Sequence, residues 1–243
     1  MVPEKEINEF VSRLRSAAGD NLQSVILYGS AATGEFRPDF SNVNLLCVLR
    51  ETSFATLSTI APAVKWWLGK KHHPPLVLTR DELERSTDVF SIELLDMQQR
   101  HRLIFGEDLL NELQIPMHLH RAQVEYELRE KTILLRQQLL LNSNRERDLW
   151  DLLLRSLPAF ATLFRHTLIA LGDKASRTKR DAVQALSSRI QFDSSPFLHL
   201  IDIREKKAER KDFDVKDVCS RYLTAVQQVT AAVDTMLDSP KSA

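Results

Sequence analysis

The chain has 243 residues, of which 43% are hydrophobic and 27% charged, a composition typical of globular proteins rather than disordered chains. Its 33 Lys and Arg balance 33 Asp and Glu, so we expect no membrane partner and no general affinity for nucleic acid. Cys47 and Cys219 are too few for a disulfide framework or a Cys-based zinc site, and favour a reducing, cytoplasmic location. No apolar stretch is long enough and free enough of charge to span a membrane, so we expect a soluble protein.

The two halves of the chain differ in pattern, and we place a domain boundary near Pro116. Residues 1–116 alternate helical and extended segments, which predicts an α/β domain with a mixed sheet and flanking helices. Residues 117–243 are helical almost throughout and predict an all-α helical bundle.

Periodicity and capping signals place the elements of the first half. Apolar residues from Ile7 to Ala18 recur every three or four positions before Gly19, which predicts a helix and its C-terminal cap. Thr79 and Glu82 form a capping box that opens a short helix. A further helix is expected over Thr52 to Leu68. Strands are predicted over Ser24 to Tyr28, Asn42 to Leu49, Leu76 to Leu78, Val89 to Leu95 and Leu103 to Phe105.

The second half predicts five helices. Their expected bounds are Leu119 to Leu140, Leu149 to Leu171, Lys179 to Ile190, Ser195 to Glu209, and a last helix from Asp214. Pro158 is expected to kink the second of them. Arg155, Thr162 and His166 share one stripe of that helix, which is a polar wall facing a cleft, an interhelical network or a solvent-exposed face. His118 and His120 are expected to be exposed to solvent rather than to bind a metal.

The most informative stretch runs from Leu27 to Leu46. A buried strand ends in Gly29-Ser30, where a helix is expected to begin at once, and glycine, serine and helix amides there can bind a phosphate. On the next predicted strand, Asn42 and Asn44 are two residues apart and therefore point to the same side, beside the Gly-Ser turn.

This pattern resembles the nucleotidyltransferase superfamily, which includes polymerase-β-like and aminoglycoside-modifying enzymes. Its signature is Gly-Ser, a short helix, Ser-Asp-x-Asp on the second strand and a third carboxylate on a later strand. A helical C-terminal domain follows in the antibiotic-modifying members, and the chain is similar throughout to bacterial members. The resemblance implies a nucleoside triphosphate bound by Gly29, Ser30, Asn42 and Asn44, and it places the third carboxylate, a catalytic base, at Glu93. A salt bridge from Glu93 to Arg37 is the structural alternative.

The two asparagines are a departure from the family pattern. In active members the strand carboxylates hold a divalent metal, usually Mg²⁺, which bridges the nucleotide phosphates. Asn42 and Asn44 remove two negative charges from that place, so no metal ligand is assigned in this chain.

Three functions follow from this departure. The first is a catalytically impaired protein, a pseudoenzyme that keeps a cleft for a nucleotide or another small ligand. The second is an active transferase that moves a nucleoside monophosphate to an unknown small-molecule acceptor, with Mg²⁺ recruited by Glu93, Asp39 or Asp96 with help from the two asparagines. The third is a structural protein, or one that forms a homodimer, and it binds no ligand.

Overall fold

The chain folds as two compact units, Met1–Pro116 and Met117–Ala243. The structure is a computed structural model that describes residues 2–34, 36, 41–142, 145–173 and 178–238. Arg37 and Asp39, named above as a partner of Glu93 and as a metal ligand, lie outside the described residues. The predicted fold class, an α/β domain followed by a helical bundle, is confirmed.

The first unit contains four helices and four strands among its described residues. They are α1 (Glu4–Ala18), β1 (Leu22–Tyr28), β2 (Asn44–Leu49), α2 (Phe54–Gly69), β3 (Leu76–Thr79), α3 (Arg80–Arg85), α4 (Ser91–Gln99) and β4 (His101–Gly106).

The four strands form one mixed sheet in the order β3-β2-β1-β4. β1 pairs antiparallel with both β2 and β4, and β2 pairs parallel with β3. Alternate residues of β1 enter different cores, since Val25 and Leu27 pack in the cluster that includes α1 and α2, whereas Ile26 packs in the cluster that includes α3 and α4. Both faces of the central strand are therefore covered, which explains its continuous apolar sequence.

Local signals at several helix ends are confirmed. The Thr79 hydroxyl accepts a hydrogen bond from the Glu82 amide, and the Glu82 carboxylate accepts one from the Thr79 amide, which completes the predicted capping box. α1 ends at Ala18 before Gly19, whose φ is 54°.

The strand predicted over Val89 to Leu95 is wrong, because Ser91–Gln99 is the helix α4. Val89, Phe90 and Ile92 favour an extended chain, and a short apolar run does not by itself distinguish a strand from a helix. The Glu, Leu, Met and Gln residues of the segment are good helix formers, and they bury Leu94 and Met97 against the sheet.

The second unit contains five described helices, α5 (Met117–Asn142), α6 (Glu146–Ala170), α7 (Lys179–Ile190), α8 (Ser195–Arg204) and α9 (Val215–Asp238). α6 continues through Pro158. α8 ends five residues before the predicted Glu209, because Lys206 adopts a φ of 59° and the Lys207 amide closes the helix end onto the Asp202 carbonyl.

The centre of this bundle is aromatic. The ring of Tyr222 on α9 stacks on Phe197 at 4.3 Å and lies edge-on to Phe160 at 5.8 Å. The Tyr222 hydroxyl is 3.1 Å from the Ser156 hydroxyl, so its polar end is satisfied inside the core. Over the described ranges, no helix is long and apolar enough to cross a membrane.

Gly106, the last residue of β4, permits the close approach of β4 to β1, so a side chain at this position should destabilise the fold. Its φ is 80°, and a Cβ placed there would lie 1.8 Å from the Gln23 carbonyl oxygen. We expect Gly106→Ala to lower the free energy of unfolding by about 2 to 4 kcal/mol, through backbone strain and overpacking, in urea denaturation.

Gly69→Ala is the matched control for Gly106→Ala. Gly69 is the last residue of α2, and nothing lies within 4 Å of the position that a Cβ would take there, so this change should be neutral or stabilising by up to about 1 kcal/mol. Equal stabilities of the two variants would contradict the packing described for Gly106.

Candidate functional site

The Gly29-Ser30 turn begins directly where β1 ends. Gly29 has a φ of 77°, which favours glycine, and its amide donates a hydrogen bond of 2.8 Å to the Arg100 carbonyl oxygen. The helix expected to begin there is a single 3₁₀ turn over Gly29–Ala31, closed by the Ala32 amide onto the Gly29 carbonyl at 3.0 Å. The described turn therefore offers glycine, serine and a few amides, without an α-helix dipole behind them.

Asn44 lies beside this turn, whereas Asn42 is not on the strand. Asn44 is the first residue of β2 and pairs with Tyr28 of β1. Its Nδ2 is 3.4 Å from the position that a Cβ on Gly29 would take. Asn42 is exposed and precedes the strand, which begins two residues later than predicted. The alternation of side chains along a strand therefore does not place Asn42 and Asn44 on the same side, as was predicted from their spacing.

Glu93 is not on a strand, and that expectation is wrong. It lies in the first turn of the helix α4 and is exposed, while its neighbours Ile92 and Leu94 are buried. The four strands that the structure describes contain neither Asp nor Glu. The described strands therefore offer no side chain for the third carboxylate that the resemblance implies.

Two residues that the sequence did not identify flank the turn. Arg100 caps the C-terminus of α4, and its Nη2 lies 3.5 Å from the Thr33 hydroxyl. The carbonyl oxygen of the same arginine accepts the hydrogen bond from the Gly29 amide. His101 pairs with Tyr28, and its ring contacts the Gln98 carbonyl at 3.0 Å and the Asp108 carboxylate at 2.9 Å. The antiparallel register of β1 and β4 brings Arg100 and His101 to the turn, so no local signal in the sequence indicated that they lie there.

The environment of the sheet end is partly desolvated. Burial, and then the neighbouring Cys47 thiol, raise the pKa of the Tyr28 phenol above its ordinary value of 10.0. Burial likewise raises the pKa of Cys47 to about 12, so this thiol is an inert core group.

The described residues at the turn do not fit a magnesium site. Magnesium is held in proteins by carboxylates together with substrate phosphates. Where the resemblance implies a carboxylate pair the chain has Asn42 and Asn44, and the part of the chain that the structure covers has no group of three His, Cys, Asp or Glu side chains suited to a metal.

A cavity of about 600 Å³ lies elsewhere on the first unit. It is lined by residues that include Asp20, Asn21, Arg50 and Glu51, at the end of β1 opposite to Gly29. Its polar groups bond one another, as in the 2.9 Å contact of Arg50 Nε with the Asp20 carbonyl. This cavity is therefore distinct from the predicted site.

The three residues of the polar stripe predicted on α6 lie in different environments. Arg155 is exposed and bonds the Asp151 carbonyl, Thr162 is half-buried, and His166 is fully buried. The expectation that His120 is exposed is wrong, because His120 is also fully buried and its Nε2 lies 3.3 Å from His166 Nδ1. His166 thus belongs to an interhelical contact between α5 and α6, whereas Arg155 faces solvent, so the network and the solvent-face interpretations each apply to part of the stripe.

The comparisons with known proteins identify the family. The model of the nucleotidyltransferase domain family matches residues 4–135, and the chain belongs to this family. A comparison with curated proteins finds no match.

Two solved structures are similar to this chain. The spectinomycin adenyltransferase of Enterococcus faecialis, solved with ATP and spectinomycin, is 16% identical and has a TM-score of 0.55, with 92% of this chain and 99% of that chain covered. This likeness shows a common fold. A nucleotidyltransferase-like protein of Exiguobacterium sibiricum is 13% identical, with a TM-score of 0.37 and coverage of 93% and 75%.

The buried histidine pair predicts acid sensitivity. Burial, and then the neighbouring His166, lower the pKa of His120 from 6.5 to about 4. Between these values the unfolded chain takes up a proton that the folded chain excludes, so stability falls as the pH falls through this window. We expect the free energy of unfolding to drop by on the order of 2 kcal/mol between pH 7 and pH 4.5 through this residue.

Urea denaturation at the two pH values measures this drop. His120→Phe should reduce it, whereas His118→Phe, at the exposed neighbouring position, should leave it unchanged. The assignment to His120 is wrong if the parent and the His120→Phe variant lose the same free energy.

Proposed function

We propose that this protein is a catalytically impaired member of the nucleotidyltransferase domain family that binds a nucleoside triphosphate, or a similar phosphate-bearing small molecule, at the Gly29-Ser30 turn. One observation supports the impairment above all. The four described strands carry no carboxylate, and both positions that resemble the metal-binding pair are asparagines, Asn42 and Asn44.

The physical reason is the charge that phosphoryl transfer requires. Divalent metals stabilise the attacking and leaving oxygens, and anionic ligands hold the metals in place. An amide oxygen can bind Mg²⁺ but contributes no formal charge, so two Asp-to-Asn differences weaken the electrostatic attraction for the metal. The exposed Glu93 on α4 does not restore a strand carboxylate.

Retention of ligand binding is supported by the turn itself. Gly29 keeps the left-handed backbone and Ser30 keeps its hydroxyl, while Asn44 presents an amide nitrogen to the turn. The described strands carry no carboxylate, so they add no negative charge that would repel a phosphate bound without a metal. The proposed role is binding or regulation rather than transfer to an acceptor.

We propose the cytoplasm as the site of this role. Cys47 and Cys219 are both free thiols buried in the structure, which is the usual state of cysteines in a reducing compartment. Nucleoside triphosphates are available in the same compartment.

Calorimetric titration with ATP, GTP, CTP and UTP, with EDTA or with Mg²⁺, tests this function. We expect saturable binding of at least one nucleotide in EDTA, because the donors at the turn bind phosphate directly. Binding that requires Mg²⁺ would instead support an active transferase. No binding of any nucleotide under either condition would overturn the proposal and favour the structural alternative.

A matched pair of glycine variants locates the binding site in the same titration. Gly29 and Gly172 have φ values of 77° and 87°, so alanine should strain both backbones to a similar extent, and Gly172 belongs to the other unit. Only Gly29→Ala should weaken nucleotide binding, by tenfold or more, which is about 1.4 kcal/mol. Equal affinities of the two variants would place the ligand elsewhere.

Restoring the acidic pair gives a separate prediction. The double variant Asn42→Asp with Asn44→Asp should bind Mg²⁺ about tenfold more tightly than the parent, and should melt at a lower temperature in EDTA because like charges are close together. Thermal denaturation over a Mg²⁺ series measures both effects, and each single variant serves as a control. Unchanged Mg²⁺ binding would show that these positions are not the former metal site.

A further inference from the structure

We infer that Arg100 supplies the positive charge that binds the ligand's phosphate at the Gly29-Ser30 turn, in the place that a metal ion holds in active members. This inference rests on the proposed function and adds to it the residue that binds the phosphate. The expected ligand is a polyphosphate that the guanidinium group binds without a divalent cation.

Arg100 contacts both ends of the turn. The Arg100 carbonyl oxygen accepts the Gly29 amide hydrogen bond at 2.8 Å, which ties the residue to the first position of the turn. Its guanidinium Nη2 lies 3.5 Å from the Thr33 hydroxyl, at the far end of the same turn. The Thr33 amide in turn donates to the Ser30 carbonyl at 3.4 Å. Main chain and side chain of one residue therefore span the turn from Gly29 to Thr33.

The turn brings hydrogen-bond donors and a positive charge together. The Arg100 guanidinium contacts the Thr33 hydroxyl, Ser30 belongs to the same turn, and the Asn44 amide lies beside Gly29. All of these side chains can donate hydrogen bonds, and the guanidinium carries a full positive charge. A donor-rich place of this kind binds an anion, and guanidinium binds phosphate oxygens through two parallel hydrogen bonds.

The main chain of Arg100 is held on both sides. Arg100 is half-buried and caps α4, where its amide donates a hydrogen bond of 3.2 Å to the Met97 carbonyl. The next residue, His101, enters β4 and pairs with Tyr28. Because a helix end and a strand start hold this backbone, ligand binding has to order only the side chain of Arg100.

Arg102 provides a matched control, since it lies two residues after Arg100 in the sequence and is on β4. It is exposed and pairs with Glu4 through Nη2 at 2.7 Å, with no contact to the turn among those described. Replacing either arginine by glutamine removes one positive charge from the same unit, so a general charge effect would appear in both variants.

The experiment is calorimetric titration of the full chain in EDTA with ATP, inorganic triphosphate and adenosine as probes. For Arg100→Gln we expect a loss of tenfold or more in affinity for ATP and triphosphate, with the affinity for adenosine unchanged. Arg100→Lys should lie between the parent and Arg100→Gln, because it keeps the charge and loses the planar fork. Arg102→Gln should bind all three probes as the parent does.

The outcomes separate this inference from the proposed function. If the parent binds ATP and Arg100→Gln binds it equally well, the inference is overturned and the proposed function stands. If Arg100→Gln weakens adenosine as much as triphosphate, Arg100 is a structural residue and the inference is again overturned. If the parent binds no probe, both fail. Should Arg100→Gln not fold, Arg100→Lys decides, since it must bind triphosphate more weakly than the parent.

Discussion

The arrangement of the first unit depends on the position of β1 between two antiparallel neighbours. Tyr28, the last residue of β1, pairs with Asn44 on one side and His101 on the other. The hydrogen-bonded register therefore fixes three separate chain segments at one end of the sheet. Gly29 can turn there because its left-handed backbone is supported by the bond from its amide to Arg100.

Burial on both faces explains why this register is well determined. Alternate residues of β1 and β2 enter two different cores, so a shift by one residue would exchange the two sets and disturb both. The close approach of β4 at Gly106 adds a steric limit, since any side chain at that position would collide with the Gln23 backbone. The geometry of the turn is thus maintained by packing at some distance from it.

The proposed change in function is electrostatic rather than architectural. The chain belongs to the nucleotidyltransferase domain family, yet the described strands hold no carboxylate. In the proposed function, strands without carboxylates attract a divalent metal less strongly and repel a metal-free phosphate less strongly. The inferred role of the Arg100 guanidinium is to favour the anion without the metal-dependent chemistry that phosphoryl transfer needs.

The bundle shows a different use of buried polar groups. Tyr222 satisfies its hydroxyl through Ser156 within an aromatic core, whereas His120 and His166 place two titratable rings side by side in the interior. Such a pair is tolerated while it is neutral and becomes costly when it is protonated. The stability of this unit is therefore coupled to pH through its packing.

The sequence by itself determined the elements whose signals are local. Helical periodicity, the capping box at Thr79 and the turn at Gly29 depend on neighbouring residues, and the fold class followed from them. The family resemblance likewise rests on contiguous residues around Gly29 and Asn44.

Only the tertiary structure decided which segments that are distant in sequence lie in contact. The α4 segment became a helix because it packs on the sheet, which moved Glu93 away from its expected strand, and strand register brought Arg100 to Gly29. Contacts between residues so distant in sequence leave no periodic trace in the chain, and they are set by the packing of the whole unit.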